Sequence, residues 1–460
     1  ELQMISGKPG ITGTPLPRWD LINLKKYVSA SIQYSRGCPF DCEFCDITAL
    51  YGRKSRTKTP EQMIREFDIL YRTGFRGPVF IVDDNFIGNK IEVRKFLPVA
   101  AAWQKAHHYP FRLFTEASMN LAWPANEDLL AGMKEAGFIE VFVGIESVDT
   151  DVLKGMVKGQ NVKMAPLEAV QKIHKAGMSV TGGFIIGCDG EKPTVFEELF
   201  QFIQKAGIPV AMAGLLTALK DTHLYERLKK EGRLRSESQG NNTHHLGFNY
   251  DPQLKEEFLV QGYKNLLKRL FDDKNYYQRC RVLQNNLGEK ITERGLSRES
   301  LLAFGRSLAR QLFAGGGWEY AKYLGWTLIK HPKLFPEAVA DAIKLDHLKM
   351  ITRMTLEVDA YQKHLDTLYE QFIKYASRVS AEYQKFSHNI ELLRHEAALV
   401  ISNAEKNCRK IHRDFRSDAE ESLNMLRERI NELVEKIGMR GVSALGNTIA
   451  GSSLSESGRE

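Results

Sequence analysis

Cysteine is scarce in this chain. Six occur among 460 residues, too few and too unevenly spread for a disulfide framework, which favours a reducing compartment. No run of eighteen apolar residues occurs, so no segment is a candidate for a spanning helix. Net charge is small as well: 64 basic residues face 57 acidic ones, for +7 at pH 7. Charge alone therefore gives no reason to expect a nucleic-acid partner; an anionic membrane surface or an anionic substrate is equally compatible. The first residues, Glu1 to Gly10, have neither an initiator Met nor a signal-peptide layout. These absences together lead to the expectation of a cytoplasmic protein, with a peripheral position at the inner membrane left open. Glycine and proline, common elsewhere, are missing entirely between Glu337 and Ile437.

What is present has an order. Residues 1–28 are rich in Gly, Pro and Thr and read as a linker. Apolar runs suited to strands follow at 30–35, 78–82, 111–116, 139–145, 179–186 and 209–216, with amphipathic stretches of helical length between them. Thr59-Pro60-Glu61-Gln62 has the form of a helix start, with a hydroxyl cap, a first-turn proline and a glutamine three after the cap. Gly137, Gly177 and Gly207 stand just before strands, where the preceding helix must end at positive φ. Six β-then-α units predict an α/β fold with a parallel sheet, either an open doubly wound sheet or a barrel. In both, active groups gather at the C-terminal strand ends. There the sequence offers a cysteine loop, then Asp83-Asp84-Asn85, Glu116, Glu146 and Gly187-Cys188-Asp189-Gly190-Glu191. The expected divisions are a linker at 1–28, a barrel at 29–235, a helical accessory domain at 236–336, a long-helix or coiled-coil region at 337–440 and a disordered tail at 441–460. The long helices are expected to be structural or oligomeric.

Three of the six cysteines lie in Gly37-Cys-Pro-Phe-Asp-Cys-Glu-Phe-Cys-Asp46. Thiolates at Cys38, Cys42 and Cys45 suit either an iron–sulfur cluster or zinc. A structural zinc takes four ligands, and no fourth stands nearby, the next histidines being His107 and His108. Three thiolates on a four-iron cluster would leave one iron open to an amine and a carboxylate.

This loop, with Phe44 before its last cysteine, resembles the cluster motif of the radical S-adenosylmethionine (SAM) enzymes. The resemblance implies a partial (β/α)6 barrel in which Cys38, Cys42 and Cys45 hold a [4Fe-4S] cluster and the open iron chelates SAM. One-electron reduction would cleave SAM to methionine and a 5′-deoxyadenosyl radical. It further implies that Asp83, Asp84 and Asn85 meet the cofactor's amino group, that Glu146 meets the ribose, and that Gly183, Ile185 and Gly187 flank the adenine. Several segments narrow the likeness: Pro17-Arg-Trp-Asp20, Gln33 through Ile47, Tyr51-Gly-Arg-Lys54, Arg56-Thr-Lys-Thr-Pro60, Phe80 through Asn89, and Phe114-Thr-Glu-Ala-Ser118. They resemble the cobalamin-dependent branch that includes hopanoid C-methylases, which also carries an uncharacterised helical domain after the barrel. That branch has a cobalamin domain ahead of the barrel, marked Asp-x-His-x-x-Gly. No such signature precedes residue 15, and Asp221-x-His223 lacks the glycine. The expectation is a chain without its N-terminal domain, cobalamin being bound on the missing part; a short form working without cobalamin is the other reading.

The implied function is SAM cleavage for methyl transfer to an unactivated carbon. A radical rearrangement or cyclisation enzyme and a non-catalytic scaffold with partner-binding helices are the alternatives. The implied partners are a small-molecule or lipid-like substrate and an electron donor such as flavodoxin or ferredoxin, with no catalytic residue assigned beyond the cofactor set. Cys188 reads as a packing residue, and Arg53, Lys54, Arg56 and Lys58 as a solvated basic approach. The His244-His245 pair reads as loop, and Tyr263, Phe271, Tyr276 and Tyr277 as core.

Overall fold

The computed structural model describes residues 8–238, 246–291, 298–312, 317–382 and 386–452, so His244 and His245 lie outside the described residues. The chain divides into two compact units, one reaching Leu348 and the other starting at Lys349. The division falls inside one long helix, Phe335–Glu382, rather than near residue 337.

Six strands form one sheet: β1 (Ala30–Ile32), β2 (Gly77–Ile81), β3 (Phe111–Ala117), β4 (Phe138–Glu146), β5 (Ser179–Ile186) and β6 (Ala211–Leu215). Every pairing is parallel and the spatial order is the chain order. This order decides between the two sheet types. A doubly wound sheet needs a reversal of direction to place helices on both faces. Here each crossover joins adjacent strands in the same direction. With the usual right-handed crossing, all helices fall on one face and the sheet curls around the other. The result is a partial (β/α)6 barrel. Its helices are α1 (Pro60–Arg72), α2 (Lys90–Ala106), α3 (Glu127–Glu135), α4 (Pro166–Lys175), α5 (Val195–Ala206) and α6 (His223–Lys230).

Local chemistry sets the boundaries. Thr59 and Gln62 make the reciprocal capping box, with Pro60 at the first turn of α1. Gly137, Gly177 and Gly207 have φ of 86°, 94° and 69°. The first strand ends sooner than its apolar run suggests. Ser35–Arg36 leaves the barrel and pairs antiparallel with Arg56–Thr57, making a ribbon that frames the cysteine loop.

Helices after the barrel close its lower end: α7 (Glu256–Leu270), α8 (Asp273–Asn286), α9 (Arg298–Leu312), α10 (Gly317–Lys330) and the start of α11 (Phe335–Glu382). Glu140, low on β4, accepts from the Thr181 hydroxyl at 3.0 Å and from Lys344 of α11 at 3.3 Å. Arg279 of α8 is fully buried and donates to the Pro209 carbonyl below β6 at 3.0 Å. Burial pushes its guanidinium down to about 10. Tyr263, Phe271, Tyr276 and Tyr277 are core residues. The second unit contains the rest of α11, α12 (Phe386–Cys408) and α13 (Arg416–Ser452). Met354, Val358, Tyr361, Leu365, Leu368 and Phe372 are buried at alternating four- and three-residue steps on α11. The last helix continues past Gly441 to Ser452, where composition suggested disorder.

Lys58 departs from its sequence reading. It is not solvated: its side chain is 6% exposed and paired with Glu66 of α1, itself 2% exposed. The pair ties the ribbon to the first barrel helix. Replacing one partner strands a charge in the core, so Lys58→Met should cost ~3–5 kcal/mol in urea unfolding, and adding Glu66→Leu should recover most of that loss. His174 on α4 gives a second test. It is buried, its Nε2 faces the Val180 N–H at 3.3 Å, and burial pushes it down to about 4. A depressed histidine value means the unfolded chain binds the extra proton first. Stability should therefore fall as pH drops from about 6.5 towards about 4. In His174→Gln that part of the slope should disappear from unfolding measured across this range.

Candidate cofactor site at the cysteine loop

Gly37, with φ of 94°, starts the loop at a place where only glycine fits. A Cβ there would lie 2.7 Å from the Lys54 carbonyl oxygen and 2.8 Å from that of Gly52. The Cys38 N–H donates to the Gly52 oxygen at 3.3 Å and the Cys45 N–H to the Cys42 oxygen at 3.1 Å. All three cysteines are free; Cys42 is buried, Cys38 and Cys45 half-buried. Burial raises the thiols of Cys38 and Cys45, the latter to about 12. Uncompensated thiolates would be costly here, whereas a bound cation reverses that balance. Among the described residues no group of three His, Cys, Asp or Glu side chains is gathered closely enough to hold a metal ion.

The end of β2 meets this loop. Asn85 directs its Nδ2 towards Cys38 Sγ at 3.7 Å, while its Oδ1 accepts from the Ser118 N–H at 3.2 Å. Asp84 is half-buried beside the Gly37 backbone. Asp83 faces elsewhere: its Oδ1 accepts the N–H groups of Tyr34 and Ser35 at 2.8 and 2.9 Å, pinning the chain as it leaves β1. Burial lifts Asp83 to about 6, and burial with the neighbouring aspartates lifts Glu116 to about 7. Asp84 faces the loop and acts on Glu116, so this pair of carboxyls is one that a cationic ligand would relieve.

Glu146 ends β4 at φ of 65°, after an irregularity in the pairing with β5. A non-glycine residue held there is under backbone strain. Its carboxylate is paired with Lys158, and both are buried. The Lys158 Nζ also stands 5.6 Å from the centroid of the Phe44 ring, so one lysine links the β4 end to the cysteine loop. Next along this turn, Gln160 Nε2 lies 3.5 Å from Cys42 Sγ, and Asn161 Nδ2 donates to the Gly144 and Ile145 carbonyls at 3.0 Å each. Sequence reasoning missed all three, because the turn has no periodicity and its polar residues resemble an ordinary loop.

The β5 end completes the surroundings. A Cβ on Gly183 would lie 2.8 Å from the Phe142 ring, and one on Gly187 would lie 2.3 Å from the Phe248 ring. Both glycines are thus also demanded by the protein's own packing. Ile185 is half-buried. The Gly187 N–H donates to Glu191 at 2.9 Å and its carbonyl accepts from the Tyr250 hydroxyl at 2.7 Å. A cleft of about 290 Å³ lies beside Phe44, walled by Met156, Cys188, Leu216 and Tyr250, with Glu43 and Arg227 at its polar side. Arg227 holds Asp189 at 2.8 Å and Arg233 holds the same carboxylate at 2.7 Å. Of the basic residues beyond the loop, Arg53 pairs with Asp41 at 3.3 Å on the surface.

Residues 32–203 match the radical SAM superfamily, and residues 222–359 match a domain of unknown function (DUF4070). The chain is 46% identical to a Synechocystis sp. protein described as an uncharacterized methyltransferase, over 59% of this chain and 50% of that protein. It is also 46% identical to the hopanoid C-2 methylase of Rhodopseudomonas palustris, over 48% of this chain and 41% of that one. The chain therefore spans half or less of the length of these curated relatives. Among solved structures, the radical SAM methyltransferase TsrM from Kitasatospora setae, with cobalamin and a [4Fe-4S] cluster bound, aligns over 71% of this chain and 63% of its own. The identity is 14% and the TM-score 0.46, too slight to carry an argument. On the sequence match, residues 32–203, which contain the cysteine loop and the β2 to β5 strand ends described above, are a domain of the radical SAM superfamily.

Proposed function

We propose that this chain is the radical SAM portion of a methyltransferase that acts on an unactivated carbon. The observation that carries the reading is the seating of Cys38, Cys42 and Cys45 at the strand ends, with side-chain amides directed at two of the three sulfurs. Soft thiolates that are partly buried and supplied with N–H donors fit a [4Fe-4S] cluster. Held by Cys38, Cys42 and Cys45, such a cluster would relay one electron from an external reductant to the sulfonium of SAM. The chain's own residues do the remaining work. Asp84 and Glu116 favour a positively charged ligand beside the loop. The cleft next to Phe44, with Met156, Leu216 and Tyr250 as apolar walls, is suited to a nucleoside and excludes water from one side of it. Glu146, oriented by Lys158, is the carboxylate available to ribose hydroxyls.

The methyl-transfer part rests on the methyltransferase names of relatives that are 46% identical over roughly half this chain. Cobalamin as methyl carrier, a lipid-like substrate, an electron donor of the flavodoxin or ferredoxin kind, and pairing of chains through the long helices belong to this proposal. So does a peripheral membrane position; no described helix is long and apolar enough to cross a membrane. The test is anaerobic reconstitution with iron and sulfide, followed by SAM and a strong reductant. 5′-Deoxyadenosine should accumulate, and Cys42→Ala should reduce it to the protein-free background. No product from the reconstituted parent, or equal product from Cys42→Ala, would overturn the proposal.

A further inference from the structure

We infer that Gln160 is a positioning residue that sets the reduction potential of the cluster by donating its amide N–H to the Cys42 sulfur. The inference rests on the cluster reading above and extends it to one side chain. Each cysteine sulfur has a donor, but not of the same kind. Cys45 is served by the backbone N–H of Ile47, and Cys38 by that of Phe40 together with the more distant Asn85 Nδ2 at 3.7 Å. At Cys42 the donor is a side chain from another part of the barrel, with Gln160 Nε2 at 3.5 Å from Sγ. A thiolate on iron carries no proton and can only accept, so the nitrogen end of the amide must face it.

The amide is held for this contact. Gln160 is 7% exposed and Cys42 9%. On one side of Gln160, Asn161, 1% exposed, is fixed by two hydrogen bonds to the β4 end. On the other, Lys158 is fixed by Glu146. Val157, at φ of 56°, bends the turn into place. Burying an amide is costly unless it is hydrogen-bonded, and the partner its nitrogen has is the sulfur. An apolar residue would fill the space at lower cost, so the sulfur contact is the reason for a glutamine at this position.

The consequence is electrostatic. Taking up one electron increases negative charge on the cluster and its thiolates. An N–H aimed at one thiolate stabilises the reduced form more than the oxidised form and raises the potential. Removing it makes the cluster harder to reduce.

The test is an EPR-monitored redox titration of the reconstituted full chain, without SAM, for the parent, Gln160→Leu and Gln160→Glu. Both variants should keep the parent's iron and sulfide content and show a more negative midpoint. The shift should be larger for Gln160→Glu, which puts an acceptor where the donor was. An unmoved midpoint with iron intact overturns the inference. Loss of iron in both variants overturns it too, because Gln160 would then be a support of the loop and not a tuner of potential. A parent that takes up no iron is a different failure, and it falls on the cluster reading itself.

Discussion

Glu43, between the second and third cysteines, is held through all of its polar groups. Its N–H donates to the Met156 carbonyl at 3.1 Å, its carbonyl accepts from the Leu224 N–H at 2.9 Å, and its carboxylate takes Arg227. The first tie leads to the turn after β4 and the other two to α6, beyond β6. A loop with little regular structure is thereby referenced to distant parts of the barrel at once. The positions of Cys42, Phe44 and Cys45 relative to the strand ends follow from these ties. Preorganisation of this kind matters for a cluster site, since three sulfurs must arrive together and hydrogen bonds to them act only at short range.

The same logic links the helical region to the barrel. Phe248 packs where a side chain on Gly187 would be, Tyr250 donates to the Gly187 carbonyl, and Arg233 shares Asp189 with Arg227. Lower down, Lys344 and Arg279 reach the barrel from α11 and α8. The segment after the barrel is therefore part of the same compact unit, sealing one end and shaping the wall of the cleft at the other.

The six strands, their parallel sense and the polar groups at their ends were legible because each depends on local signals: apolar runs, a capping box, and glycines where φ must be positive. The cysteine motif was legible because its three cysteines fall within eight residues. What stayed hidden depends on side-chain partners that no periodic or capping pattern joins. Nothing near Lys58 announces Glu66 as its buried counter-ion, and nothing near Glu146 shows that Lys158 will hold it. Asp83 and Asp84 look equivalent in sequence, but in the turn beyond β2 their carboxylates part, Asp83 to the Tyr34 and Ser35 amides and Asp84 to the Gly37 backbone. At Gly183 and Gly187 the close approach that excludes a Cβ comes from Phe142 and Phe248, which no local pattern shows.

The most direct test of the central claim is anomalous diffraction at the iron edge from crystals of the anaerobically reconstituted protein. The account predicts a four-iron peak bounded by Cys38, Cys42 and Cys45, with one iron lacking a protein ligand and the Gln160 amide against the Cys42 sulfur. A single metal ion, a fourth protein ligand on the cluster, or no iron at this loop in a folded chain would contradict it.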